Sequence, residues 1–169
     1  MEDEIINRVA ASKLEVFDLE DYYPAGNRTT IDIAQWLDEG LILREKDFRE
    51  TLDKHDWQQY AGALVSIYCS TDAILPAWAS ILVAVKLAPF AKESVFGPPQ
   101  AMDEFLYRQV LSSLDYSIYD GKAVIIKGCT NKPVPPNAYL LAAKYLSLHA
   151  RSIMYGEACS AVPLYKKSR

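Results

Sequence analysis

The sequence predicts a three-layer α/β fold, in which a largely parallel sheet carries helices on both faces. Strand-like and helix-like segments alternate from residue 61 onward, and half of the 169 residues are apolar. Alternation of this kind implies right-handed crossovers between parallel strands. A chain of this length can also bury one full core. We therefore expect a single domain over residues 1–169, with a small mixed N-terminal extension at 1–60 and a βα core at 61–165.

The N-terminal part combines short apolar segments with many charged residues. Apolar residues at 14–19 and 29–33 predict two short strands on either side of a turn-like segment. Apolar residues at 37, 41, 48 and 52 fit one helical face, which Gly40 is expected to divide into two helices. The charged residues between them are expected to face solvent.

The βα core has the clearest pattern. It predicts strands at 63–68, 94–97, 122–127 and 152–155, and helices around 74–85, 106–114 and 141–148. In the first of these helices, Ile74, Trp78, Ile81 and Val85 repeat at helical spacing. Most of its other residues are apolar as well, so we expect this helix to be buried nearly all round.

Charge and hydropathy exclude several classes of protein. Lys and Arg number 18 against 22 Asp and Glu, and no basic face is apparent, so we expect no nucleic-acid binding. Acidic residues occupy the first positions and no apolar run follows them, which argues against a secretory signal. The apolar stretch at 73–90 contains two prolines and a lysine, which suits a core helix better than a bilayer span. We expect a cytoplasmic protein without a membrane segment, and the oligomeric state is left open.

The three cysteines carry the functional argument. Cys69, Cys129 and Cys159 each follow a predicted strand by a few residues. The carboxyl ends of parallel strands lie at one edge of a sheet, and ligand sites of open α/β sheets lie at that edge. Each cysteine is also followed by a hydroxyl residue suited to a helix N-cap, and helix N-termini stabilise thiolates. We therefore expect the three thiols to converge.

Three converging thiolates favour a metal site. Sulfur ligands suit zinc and iron–sulfur clusters, and the cysteines would need a fourth ligand. Asp72 is the main candidate for it, and His149, Glu157 or water are others. The absence of a CxxC pair leaves other interpretations open.

Two other interpretations compete with the metal site. One cysteine could be a nucleophile or sulfur acceptor, with Lys127 or Lys132 stabilising the thiolate. Alternatively the cysteines are inert core residues of an adaptor protein that docks a partner through its charged helices at 37–56. No standard catalytic or phosphate-binding motif is present, so the sequence does not decide whether the protein is an enzyme. His55, at a predicted helix end, is expected to cap or pack.

Several segments together resemble an uncharacterised bacterial family with a domain of unknown function. They are residues 17–24 (FDLEDYYP), 40–49 (GLILREKDFR), 69–74 (CSTDAI), 127–135 (KGCTNKPVP) and 152–165 (SIMYGEACSAVPLY). The resemblance covers nearly the whole chain and includes the surroundings of all three cysteines. It implies an association with the sulfur-mobilisation genes of iron–sulfur cluster assembly, and hence a protein partner in that process.

Overall fold

A computed structural model describes residues 14–128, 131–157 and 160–167. Its strands are β1 (Leu14–Asp18), β2 (Arg28–Asp32), β3 (Leu64–Tyr68), β4 (Glu93–Phe96), β5 (Ala123–Lys127), β6 (Ser152–Tyr155) and β7 (Val162–Lys166). Its α-helices are α1 (Glu45–Lys54), α2 (Ala77–Leu87), α3 (Gln100–Ser113) and α4 (Pro136–His149). Short 3-10 turns occupy Leu19–Tyr22, Ile33–Trp36, Trp57–Tyr60 and Ser117–Tyr119.

The α/β class is confirmed, but the strands divide between two sheets. One sheet has the order β2-β3-β4 and is entirely parallel. The other has the order β1-β5-β6-β7, in which only β7 runs antiparallel to its neighbour. The expectation of one continuous sheet was wrong, because strand periodicity reports which segments are extended and not which of them pair.

Two compact units accompany the two sheets. The inserted unit comprises Ala25–Phe105, and the split unit comprises Met1–Pro24 together with Leu106–Arg169. The boundary between the units at 105/106 falls within α3. That the whole chain forms a single domain stays a prediction.

The inserted unit has its core on one face of the three-stranded sheet. The central strand β3 is buried over Leu64–Ile67, and its alternate residues Val65 and Ile67 join a cluster with α1 and α2. Phe48 and Leu52 on α1 are fully buried there, whereas the charged residues of α1 lie outside, as expected. Burial of one face of each element is what holds a layered fold together.

The split unit has a corresponding core. β5 is one of the two inner strands of its sheet, and Val124, Ile125 and Ile126 of β5 are buried. Val124 and Ile126 share a cluster with Tyr107 and Leu111 of α3 and with residues of α4. Since β1 pairs with β5, the sheet joins segments that lie on both sides of the inserted unit in the chain.

The two units follow the same plan, residue by residue. Leu64 pairs with Arg28 and Glu93 in one sheet, and Ala123 pairs with Leu14 and Ser152 at the corresponding places in the other. Matching hydrogen bonds accompany the strands: the Trp57 side chain donates to the carbonyl of Leu52, and the Tyr116 hydroxyl donates to the carbonyl of Leu111. Both distances are 2.9 Å. The repeat is visible in the sequence as DWQQYAG at 56–62 and DYSIYDG at 115–121, a signal that periodicity alone does not reveal.

Some local predictions differ from the structure. Residues before α1 form a tight hairpin between Asp38 and Ile42 instead of a helix. Strand β7 was not predicted, because its alternation of apolar residues is short and includes Pro163. The membrane prediction agrees with the helices described: within the three described ranges, none is long and apolar enough to cross a bilayer.

The repeated core yields a stability prediction. Leu87 and Leu146 occupy corresponding positions on α2 and α4 and are both fully buried. We expect Leu87→Ala and Leu146→Ala each to lower the free energy of unfolding by about 2–5 kcal/mol, since each leaves a cavity. Leu148→Ala, at a side chain 70% exposed, should change it by about 0.5 kcal/mol or less. Urea denaturation of the three variants measures this, and equal losses in all three would contradict the assignment of the cores.

Candidate functional site

Cys69 lies directly after β3, at the carboxyl edge of the three-stranded sheet. Its side chain is half-buried, and its Sγ lies 3.4 Å from Thr71 Oγ1. It lines an open depression of about 440 Å³, whose other walls include Phe96 and Pro98. These walls are apolar, so few of the described groups around Cys69 could ligate a metal. The depression is open, so small reagents can reach the thiol.

Asp72 is exposed in the loop that leads to α2. It lines a different depression, of about 560 Å³, together with residues of the hairpin and of α2. Asp72 and Cys69 therefore do not line the same depression. No group of three or more His, Cys, Asp or Glu residues suited to a metal ion is found within 14–128, 131–157 and 160–167. Cys129 and Cys159 lie outside the described residues, and the three-cysteine site stays a prediction.

Sheet membership removes one premise of the three-cysteine prediction. Cys69 follows β3, which belongs to the three-stranded sheet. Cys129 and Cys159 come after β5 and β6, which are neighbours in the four-stranded sheet. The prediction assumed one edge for all three, because it treated every parallel strand as part of one sheet. Convergence of all three thiols stays a prediction, whereas β5 and β6 do end at a common edge.

The ends of β5 and β6 are joined by a hydrogen bond. The backbone N–H of Gly156, just after β6, donates to the carbonyl of Ile126 at 3.1 Å. The corresponding bond in the inserted unit runs from Gly97 to Ile67 at 2.8 Å. In each unit, the two chain segments that follow these paired strands therefore begin side by side at the carboxyl edge of the sheet.

Ionic contacts surround this edge in the split unit. Asp18, at the end of β1, accepts a hydrogen bond from the backbone of Glu20 at 3.0 Å, and its other oxygen lies 3.2 Å from Lys127 Nζ. The hydrogen bond and charge of Asp18, helped by the charge of Glu157, raise the pKa of Lys127. Lys127 therefore stays protonated at neutral pH, at the end of β5.

A second set of contacts holds the chain that follows Lys127. Glu20 accepts a hydrogen bond from the backbone of Asn131 through its carboxylate, at 2.9 Å. Lys132 Nζ donates to the Glu20 carbonyl at 2.9 Å and lies 5.8 Å from the ring centroid of Tyr23. Residues 131 and 132 are thereby held against the 3-10 turn at Leu19–Tyr22.

The corresponding aspartate of the inserted unit is bonded differently. Burial raises the pKa of Asp32, but hydrogen bonds from Ser70 and Ala34 outweigh this effect and hold its pKa below the usual value. One Asp32 oxygen accepts from both backbone N–H groups at 3.0 Å. Asp32 therefore fixes the loop that carries Cys69 and has no lysine partner among the described contacts.

His55 packs, as the sequence predicted. Its ring centroid lies 4.7 Å from that of Trp57 and 5.1 Å from that of Trp36. Its Nε2 lies 3.2 Å from the Tyr60 hydroxyl. Burial lowers the pKa of His55, although the charge of Asp56 opposes this. The aromatic surroundings therefore favour the neutral imidazole and give it a structural role.

These features define the class of protein. It is an α/β protein with two units of similar build, and in each unit parallel strands end at a common edge of the sheet. The chain belongs to the family described as Protein of unknown function (DUF2480), whose family model matches residues 3–167. The predicted resemblance to a family with a domain of unknown function is thereby confirmed. No curated protein and no solved structure gives a significant match to the chain.

Gly128 supports a prediction at the edge of the split unit. It has φ +151°, and a Cβ added there would lie 3.1 Å from Leu19 Cβ and 3.2 Å from Tyr139 Oη. We expect Gly128→Ala to lower the free energy of unfolding by about 2–3 kcal/mol, from backbone strain and crowding together. Gly121→Ala is the control, because Gly121 has φ +68° but open space around it, and strain alone costs about 1–2 kcal/mol. Chemical denaturation that found Gly121→Ala the more damaging change would contradict the packing described.

His55 yields a prediction about pH. Its pKa is lower in the folded protein than the value of about 6.5 in an unfolded chain, so the unfolded chain binds the proton more readily. The resulting stability is present above about pH 6.5 and is lost as pH falls through the folded pKa. We expect the melting temperature of the wild type to fall more between pH 7.5 and 5.5 than that of His55→Gln. An equal or larger fall in the variant would show that His55 does not contribute.

Proposed function

We propose that the protein is a cytoplasmic metal-binding accessory protein of iron–sulfur metabolism, with Cys129 and Cys159 as the central ligands. The observation that carries this proposal is the pairing of β5 with β6. These strands are adjacent and parallel, and the Gly156–Ile126 hydrogen bond joins their carboxyl ends. Cys129 and Cys159 follow these ends closely in the chain. Two cysteines that follow neighbouring strand ends in the chain could supply the first two ligands of a zinc or iron–sulfur site.

Further ligands are part of the proposal. Glu157 is exposed, comes two residues before Cys159 in the chain, and acts on Lys127 through its charge. Asp18 is a poorer candidate, because its carboxylate is already bound to Lys127 and to the backbone. Cys69 and Asp72 remain the sequence-derived candidates for the third and fourth ligands. Cys69 has less support as a ligand than Cys129 and Cys159, because it follows a strand of the other sheet.

A thiol function is the second candidate, and the lysines favour it. Lys127 and Lys132 lie on either side of Cys129 in the chain, and both are held by contacts with the N-terminal strand and turn. Neighbouring cations lower the pKa of a thiol and so increase its thiolate fraction at neutral pH. A sulfur acceptor that takes sulfur from a partner protein would use such a thiolate. This function needs one reactive cysteine and no metal.

Metal analysis of cysteine variants tests the proposal. The untagged protein is purified without oxygen or chelator, and zinc, iron and acid-labile sulfide are measured per chain. We expect about one zinc, or iron with sulfide, in the wild type, and at least a fivefold loss in Cys129→Ser and in Cys159→Ser. Cys69→Ser distinguishes two forms of the site, because this variant keeps its metal if the site is built on β5 and β6 alone and loses it if Cys69 is a ligand.

The other outcomes are equally informative. Loss of metal in all three variants would support the three-cysteine site and would place Cys69 among the ligands. A wild-type protein without metal would overturn the metal proposal. Alkylation rates against pH then test the thiol function, which requires one cysteine to react with a midpoint well below about pH 8.5. Equal and slow alkylation of all three would overturn that function too.

A further inference from the structure

Helix α2 presents an apolar ridge to solvent. Ile81 is 60% exposed and Val85 is 62% exposed, and with Trp78 they fall on one helical face. The sequence predicted that this helix would be buried nearly all round, and that prediction was wrong. Ala79, Val83 and Leu87 of α2 are fully buried in the core of the inserted unit, Trp78, Leu82 and Ala84 are partly buried against it, and Ile81 and Val85 remain exposed.

A groove opens at the amino end of this ridge. It has a volume of about 560 Å³ and lies between the hairpin, the loop before α2 and Trp78. Ile74 on the loop is 94% exposed, and Leu41 and Ile42 on the hairpin are 53% and 55% exposed. Exposed apolar side chains that adjoin one another in a concave surface mark a site of interaction.

The hairpin that forms one wall is held firmly. Asp38 and Ile42 exchange two backbone hydrogen bonds, of 2.9 and 3.0 Å. The hydroxyl of Thr71 donates to the Gly40 carbonyl at 2.6 Å, which ties the hairpin to the loop after β3. Glu39 has φ +50°, a left-handed conformation that a residue other than glycine rarely adopts. The groove is therefore preorganised, which reduces the entropy lost on binding.

The split unit supplies an internal control for the apolar ridge. Helix α4 occupies the corresponding place, and there Asn137 and Lys144 stand where α2 has Trp78 and Val85. Both α4 residues are exposed. The same arrangement of strands and helices thus accepts polar side chains at these positions. Folding alone therefore does not require apolar residues at positions 78 and 85, whereas Ile81 corresponds to Leu140, which is apolar and 69% exposed as well.

Charge indicates the chemistry of the partner. The charged residues that line the groove are Glu45 and Asp72, both acidic. Glu45 forms an ion pair with Arg49 at 2.9 Å, whereas Asp72 has no ion pair among the described residues. A partner segment with a basic residue opposite Asp72 would complement this charge.

We propose that the groove and the α2 ridge dock an amphipathic helix of a partner protein. The helix inserts apolar side chains beside Trp78 and Ile81 and places Lys or Arg near Asp72, as in other helix-in-groove complexes. The five exposed apolar side chains, Leu41, Ile42, Ile74, Ile81 and Val85, offer on the order of a few hundred Å² of apolar surface. That is less than the ~800 Å² that each partner of a stable dimer buries. A single short helix therefore fits this surface better than a second copy of the chain.

Peptide binding to the full-length protein tests this proposal. The probe is a fluorescently labelled 14-residue helical peptide with leucine on one face and lysine on the other, and its analogue carries glutamate in place of lysine. We expect Ile81→Asp to weaken binding of the lysine peptide at least tenfold. Leu140→Asp, the same change at the corresponding and 69% exposed position of α4, should alter it less than twofold. Asp72→Asn should weaken it about threefold, and the glutamate peptide should bind at least fivefold more weakly than the lysine peptide.

Four results would overturn the proposal. Equal weakening by Ile81→Asp and Leu140→Asp would mean that the α2 ridge is not the surface that binds the peptide. Equal binding of the two peptides, or no binding of either, would contradict the proposal that the partner is a basic amphipathic helix. Light scattering that found a dimer dissociated by Ile81→Asp would assign the surface to a second copy. Both substituted positions are exposed, so unchanged melting curves confirm that each variant folds.

Discussion

The parallel pairing of β1 with β5 is the interaction on which the split unit depends. It places Leu14 beside Ala123 and Asp18 beside Lys127, and the entire inserted unit lies between these strands in the chain. The entropy cost of closing a loop rises only slowly with its length, so a long insertion is compatible with this pairing. Burial of the inner strand β5 offsets that cost. The same pairing brings the turn at Leu19–Tyr22 to the sheet edge, where it holds residues 131 and 132. The surroundings of the proposed metal site therefore depend on the N-terminal strand.

The repeated plan separates what the fold requires from what a function adds. Buried residues correspond closely between the units: Phe48 and Leu52 match Tyr107 and Leu111, and all four are fully buried. Their common role is packing against the central strand. The units differ at their sheet edges and on the outer faces of their helices. In the inserted unit Asp32 binds Ser70 and the backbone of Ala34, whereas in the split unit Asp18 binds Lys127. A functional assignment has the most support at residues that differ between the two units, because packing of the shared core does not explain these differences.

The two proposals rest on different units and different physical effects. The proposed metal site uses the shared edge of β5 and β6 and depends on thiolate chemistry. The docking surface uses the apolar ridge of α2 and depends on the burial of exposed side chains such as Ile81 and Val85. A docking role for residues 37–56 is one of the alternatives that the sequence leaves open, and the hairpin and Glu45 do belong to that segment. The exposed face of α2 is not apparent from the sequence, because a run of apolar residues predicts burial and does not reveal which face a neighbouring element covers. Comparison of α2 with α4 is the signal that could have found it.

The sequence by itself determined the α/β class and the positions of six strands, because alternation of apolar residues is a property of neighbours in the chain. It also indicated correctly that His55 packs and that the charged residues of α1 face solvent. Sheet membership was decided only by the tertiary structure, since it depends on pairing between segments as distant as β1 and β5. For that reason the sequence could place each cysteine after a strand but could not determine which strands share an edge. The exposure of α2 was likewise decided by the tertiary structure, because the elements packed around a helix, and not its own composition, determine which of its faces meet water.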